Sequence, residues 1–161
     1  SELKEKKSRV EDALQATRAA VEEGIVAGGG VAFVNALPAL DRIECTNTDE
    51  ELGVDILRKA LEAPVREIAQ NAGFEGSVVV DKIKHMKKGE GLNCANGQYG
   101  DMIKMGVNDP VKVARTSLES AASVAGLILI TEASVNEIPA DGPDLSALAG
   151  AGAGAGAPGM Y

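Results

Sequence analysis

Arg9-Val-Glu-Asp-Ala-Leu-Gln-Ala-Thr-Arg-Ala-Ala-Val-Glu-Glu-Gly-Ile-Val-Ala-Gly-Gly-Gly30 decides how this chain is read. Val10, Leu14, Thr17 and Val21 recur at i, i+4, i+7 and i+11, which makes one apolar stripe along a helix. Ala13, Ala16, Ala19 and Ala20 add helix propensity. Gly24 can stop the helix in the left-handed conformation. Three glycines, Gly28 to Gly30, then precede Val31-Ala-Phe-Val-Asn-Ala-Leu, which reads as a second helix. Backbone without a Cβ at a helix N-terminus lets an anion or a flat ligand come close. Asp12 stands upstream, off the apolar stripe. A carboxylate and a glycine corner make half of a nucleotide site; the same residues also suit a solvated acid and a turn.

Further along, Asp49-Glu50-Glu51 opens a helix whose positive end the acids favour. Pro64 is expected to break it into a bent pair, and Pro38 to end the helix before it near Ala36. Val79, Ile83 and Met86 fit a helix stripe with Ser77 as its N-cap. Asn96-Gly97, between short apolar pieces around Leu92 and Tyr99, predicts a β-hairpin. Asp109-Pro110 starts the last long helix, with Asp109 near the N-cap. Val113, Ser117, Ala121, Val124 and Leu127 form its expected inner line. Glu132 to Ile138 alternates imperfectly and is expected as a terminal strand. From Pro139 the pattern collapses into a breaker cluster and a Gly-Ala repeat, expected as a flexible tail.

Composition narrows the classes. The 161 residues suffice for one domain with a core, and 45% are hydrophobic. Aromatics are only 2%, so the core must come from Ala, Val, Leu and Ile. A net charge of −8 argues against a general nucleic-acid binder. Lys82, Lys84, Lys87 and Lys88 around His85 read as a solvated helix end. Cys45 and Cys94 lack metal or disulfide spacing, so no metal site is expected here, and a reducing compartment is the default. The longest apolar run, Ala121 to Ile130, is too short to span a bilayer, so no membrane partner is expected.

The opening string resembles the start of the C-terminal half of GroEL-type (group I) chaperonins, R-V-E-D-A-L-x-A-T-R-A-A-V-E-E-G-x-V-x-G-G-G, at nearly every position. Tyr99 to Gly126 is similar to a second pattern of that family, and Leu61 to Gly73 to a third, in family order. The resemblance implies a mainly α fold: the multi-helix bundle of the equatorial domain, with a small β-hairpin and a C-terminal strand. It implies a hinge helix of the intermediate domain at 1–22, the C-terminal half of the equatorial ATP-binding domain at 23–140, and a tail at 141–161. Asp12 matches the aspartate that orients the attacking water in ATP hydrolysis. Gly29 matches the glycine at the nucleotide sugar. Asn93, Cys94 and Ala95 match the segment lining the adenine, where Cys94 departs from the family's usual Asp-Ala or Asn-Ala-Ala. Asp109 matches the acid near the ribose or base, a role compatible with capping a helix.

The family's phosphate loop, G-D-G-T-T-T, does not occur in these residues, nor does the acid within it that holds Mg²⁺. The cofactors implied are therefore ATP and a Mg²⁺ held by sequence outside this stretch. The chain opens on Ser1 inside a charged helical pattern and is expected to be a fragment, inactive by itself. The implied partners are identical subunits in stacked rings, unfolded polypeptides and a co-chaperonin lid, in the bacterial cytoplasm or an organelle matrix. A ligand-free helical oligomerisation module is the alternative. A dinucleotide oxidoreductase is disfavoured, because no strand is expected before the glycines and the G-x-G-x-x-G spacing is absent.

Overall fold

The computed structural model describes residues 2–137. Five helices and two strand pairs follow in order: α1 (Glu2–Glu23), β1 (Ile25–Ala27), α2 (Val31–Leu40), α3 (Thr48–Asn71), α4 (Gly76–Lys84), β2 (Glu90–Asn93), β3 (Gln98–Asp101), β4 (Asn108–Pro110) and α5 (Val111–Leu129). The described residues divide into two units, one up to residue 124 and one from residue 125 on.

The first unit is built around α2, α3 and α4. Val31, Val34, Leu37 and Leu40 of α2 meet Leu61, Val65 and Ala69 of α3 and Val79, Val80 and Ile83 of α4. Ala27, Leu92 and Met102 complete this core. It is aliphatic, as the composition predicts, and among the described residues no buried position is polar or charged. Such a core gains stability almost wholly from apolar area removed from water.

Both interior prolines are tolerated. α2 continues through Pro38 to Leu40, and α3 runs unbroken through Pro64 for 24 residues. The expected bent pair at Glu62-Ala63-Pro64 is therefore one helix. A proline forfeits one helical hydrogen bond. Burial of Leu61, Val65 and Ala69 on the same face outweighs that loss. The start of α3 is fixed reciprocally. The Asn47 side chain accepts from the Glu50 amide at 2.9 Å, and the Glu50 carboxylate accepts from the Thr46 amide at 2.7 Å. On α4 the cap is Glu75, which accepts from the Ser77 amide, and not Ser77 itself.

The hairpin forms as expected, with Leu92 opposite Tyr99 and Asn93 opposite Gln98. A second antiparallel pair was not legible: β1 with β4, Val26 opposite Asp109. A strand thus does precede the glycines, contrary to expectation. Both strand pairs are antiparallel, and the dinucleotide-fold reading gains nothing from it. Asp109 sits in β4, and α5 begins two residues later, so the expected N-cap position of Asp109 is corrected to a ladder position.

The expected inner line of α5 is corrected as well, and the α1 stripe lies outside the core. On α1, Val10 and Val21 are 69% and 83% exposed, and α1 contributes nothing to the core. On α5, Val113 is 49% and Val124 56% exposed, and Ala121 to Val124 are all exposed. The described part of the second unit carries the end of α5, where the Ile130 amide donates to the Gly126 carbonyl at 3.2 Å. Leu127, Ile128, Leu129 and Ile130 are exposed. Residues 132–137 form no strand, because no ladder partner satisfies their backbone among the described residues. Ile138 and the tail at 141–161 lie outside the described residues.

Candidate functional site

The three glycines are close-packed on two sides. A Cβ on Gly28 would lie 3.0 Å from the Asn108 backbone of β4. A Cβ on Gly30 would lie 2.9 Å from the Val65 amide nitrogen and 3.0 Å from the Pro64 Cβ on α3. Gly29, between them, has φ +65 and is half-buried, with Met102 Cε 3.3 Å from its hypothetical Cβ. Gly28 and Gly30 therefore let strand and helix approach, while Gly29 adopts a left-handed turn that only glycine takes readily. The Gly28 amide donates to the Val107 carbonyl at 3.0 Å, which locks the corner to the strand carrying Asp109. Gly29 and Asp109 are thus held in one small backbone assembly.

Asp12 is elsewhere. It stands eleven residues before the end of α1, about 17 Å along the helix axis. Together with Gln15, Ala16, Arg18, Ala19 and Glu22 it forms one wall of a cleft of about 650 Å³. Pro110, Lys112, Val113, Thr116 and Ser117 form the other wall. The cleft reaches β4 through Pro110, immediately after Asp109. Its two walls are tied where α1 ends: Lys112 pairs with Glu22, and Arg115 binds Glu23 at 2.7 Å and Glu119 at 2.9 Å. The Arg115 guanidinium, by hydrogen bond first, lowers the Glu23 carboxyl below its ordinary range.

The hairpin segment is a third place. Asn93 ends β2; its side chain accepts from the Ala95 amide at 3.0 Å and shapes the turn. Ala95 is exposed, and Cys94 is half-buried against the core. Burial raises the Cys94 thiol above its ordinary value, so it is a packing group here and not an activated nucleophile. The hairpin is fastened to the glycine corner two residues earlier, where Gly91 abuts Val31 and Met102. Asn93 therefore lies about 7 Å along the strand from that contact.

The residues named from the sequence thus form three groups on one frame: Asp12 in the cleft, Gly29 with Asp109 at the corner, and Asn93 to Ala95 on the hairpin. Sequence reading missed the opposite wall, Lys112, Thr116 and Ser117, because its residues come about a hundred positions after Asp12. Only the paired charges Glu22-Glu23 and Lys112-Arg115 hint at that neighbourhood. Among the described residues no three His, Cys, Asp or Glu side chains stand together as a metal site. No described helix is long and apolar enough to cross a membrane. A family model described as the TCP-1/cpn60 chaperonin family matches residues 1–139.

Proposed function

This chain belongs to the TCP-1/cpn60 chaperonin family, and from that premise we propose that it supplies one side of the nucleotide site of a group I, ATP-driven folding machine. Membership carries a role in protein folding, oligomeric assembly and protein substrates in general. The finer reading rests on one observation above others. The glycine corner and Asp109 are locked together by the β1–β4 ladder, and the cleft carrying Asp12 opens from the same strand.

In this reading Gly29 gives the sugar a wall without side chain, Asp109 accepts from a ribose hydroxyl, and the turn from Asn93 to Ala95 covers the base. Asp12 orients a water and receives its proton as phosphoryl transfer proceeds. Bound ATP would supply the phosphoryl group, and an associated Mg²⁺ would neutralise charge on it. Asp12 is carried on a helix fastened at its far end by Glu22–Lys112 and Glu23–Arg115, so a tilt of α1 would move the carboxylate relative to the corner. Chemistry and domain movement are thereby coupled. Stacked rings of this subunit, unfolded polypeptide and a co-chaperonin lid are the partners proposed, in the bacterial cytoplasm or an organelle matrix.

Calorimetric titration of the complete gene product with ATP tests this. Asp109→Ala leaves the backbone ladder intact and is expected to weaken ATP binding about tenfold. Unchanged affinity removes Asp109 from the site. The exposed stripe of α1 favours a second reading, a ligand-free oligomerisation module; absence of any ATP binding by the complete product decides for it.

A further inference from the structure

The hairpin that carries Asn93 to Ala95 is short, with four residues in each strand. A two-stranded hairpin is marginal in water by itself. Its place is therefore set by what fastens it to the rest of the fold. The Leu92–Tyr99 pair is one rung from Asn93–Gln98, which closes the turn. Residues opposite each other in a ladder share a face. On that face Leu92 is buried in the core and fixes β2. Tyr99, on β3, is half-buried against the same core. The Lys82 ammonium of α4 lies over the Tyr99 ring, 3.5 Å from its centroid.

A cation at that distance is attracted by the negative face of the ring. Other lysines nearby are engaged differently. Lys84 binds Glu62 at 2.6 Å and Lys104 binds Asp101 at 3.6 Å, whereas Lys82 pairs with no carboxylate among the described residues. Its stem reaches from helix to hairpin, so Lys82 and Tyr99 act as a clasp between α4 and β3. The turn beyond the clasp is tied to itself. The Asn93 side chain accepts from the Ala95 amide and the Asn96 side chain from the Gln98 amide, both at 3.0 Å. A turn closed in this way moves with its ladder, so a shift of β3 at Tyr99 carries Asn93 to Ala95 along.

We propose that Lys82 is a positioning residue of the nucleotide site: by clasping Tyr99 it sets where the turn from Asn93 to Ala95 meets the base. This rests on the nucleotide reading above. It gives Lys82 an effect on the base end of ATP and none on the phosphate end.

The test follows steady-state turnover of the complete gene product against ATP concentration, with inorganic tripolyphosphate, which has no base, as inhibitor. Lys82→Met keeps the stem and removes the cation. It is expected to raise KM for ATP about threefold, with kcat and the inhibition constant of tripolyphosphate unchanged. Lys82→Arg keeps a cation for the ring and is expected to hold KM at the unsubstituted value. Tyr99→Leu removes the ring, and in that background Lys82→Met is expected to add nothing. An unchanged KM in Lys82→Met overturns the proposal. So does a rise that tripolyphosphate inhibition follows in equal measure, which would mean a general loosening, and so does full additivity of the two substitutions. The two readings fail differently. An unsubstituted protein that turns over no ATP removes the nucleotide site and the proposal with it. Turnover by the unsubstituted protein that Lys82→Met leaves unaltered removes Lys82 alone.

Discussion

Gly30 and Gly24 separate two reasons for glycine. Both have positive φ, +79 and +86. Gly24 has open space around its missing Cβ, whereas Gly30 faces the Val65 amide and Pro64. Gly24→Ala is expected to lower stability by about 1–2 kcal/mol, the left-handed cost alone. Gly30→Ala adds the overlap and is expected to lower it by about 2–4 kcal/mol. Urea unfolding of the two variants checks this; equal losses would mean that α3 yields without cost. The sequence marks these glycines as a corner, but not what each touches. Pro64 and Val65 lie more than thirty positions away, and no local pattern names them. Asp12 is legible only by resemblance, since its neighbours on α1 make it one acid among several on an exposed face.

Among the elements, apolar periodicity located α1, α3, α4 and α5, and Asn96-Gly97 located the hairpin. Local rules mislead where burial overrides them. A proline predicts a break, yet Pro38 and Pro64 lie inside helices whose faces are held by the core. Pro64→Ala restores an amide donor and is expected to raise stability by about 1 kcal/mol or more. A lower urea midpoint would show that the ring packs productively. The β1–β4 pair escaped notice because three-residue strands carry too few residues for alternation to show. The Thr46–Asn47–Glu50 cap also gives a pH prediction. The Thr46 amide, then its hydroxyl, holds the Glu50 carboxyl below its ordinary range. Folded Glu50 therefore binds fewer protons than unfolded Glu50, and its contribution is present above the ordinary glutamate value of about 4.3. It is lost as pH falls through the lowered folded value. The first turn of α3 is expected to lose amide protection in that acidic range, and Glu50→Gln to remove that pH dependence. Protection that persists there in the unsubstituted chain would contradict the cap's ionic character.

For the whole molecule, the outcome of folding is a compact α2–α3–α4 core with an α1 that keeps its apolar stripe in water. Val10, Leu14 and Val21 contribute nothing to that core. Exposed stripes of this kind mark interaction surfaces. Light scattering is expected to show concentration-dependent association, reduced by the combined substitution Val10→Glu, Leu14→Lys and Val21→Lys without a change in urea midpoint. A monomer at every concentration would contradict this. The proposed role of Asp12 as the water-orienting carboxylate of an ATP site is checked by turnover itself. Steady-state ATP turnover is compared between the complete gene product and its Asp12→Ala variant, with ATP affinity measured alongside. Turnover is expected to be lower by about 100-fold or more at unchanged affinity; turnover equal to that of the unsubstituted protein would remove Asp12 from that role.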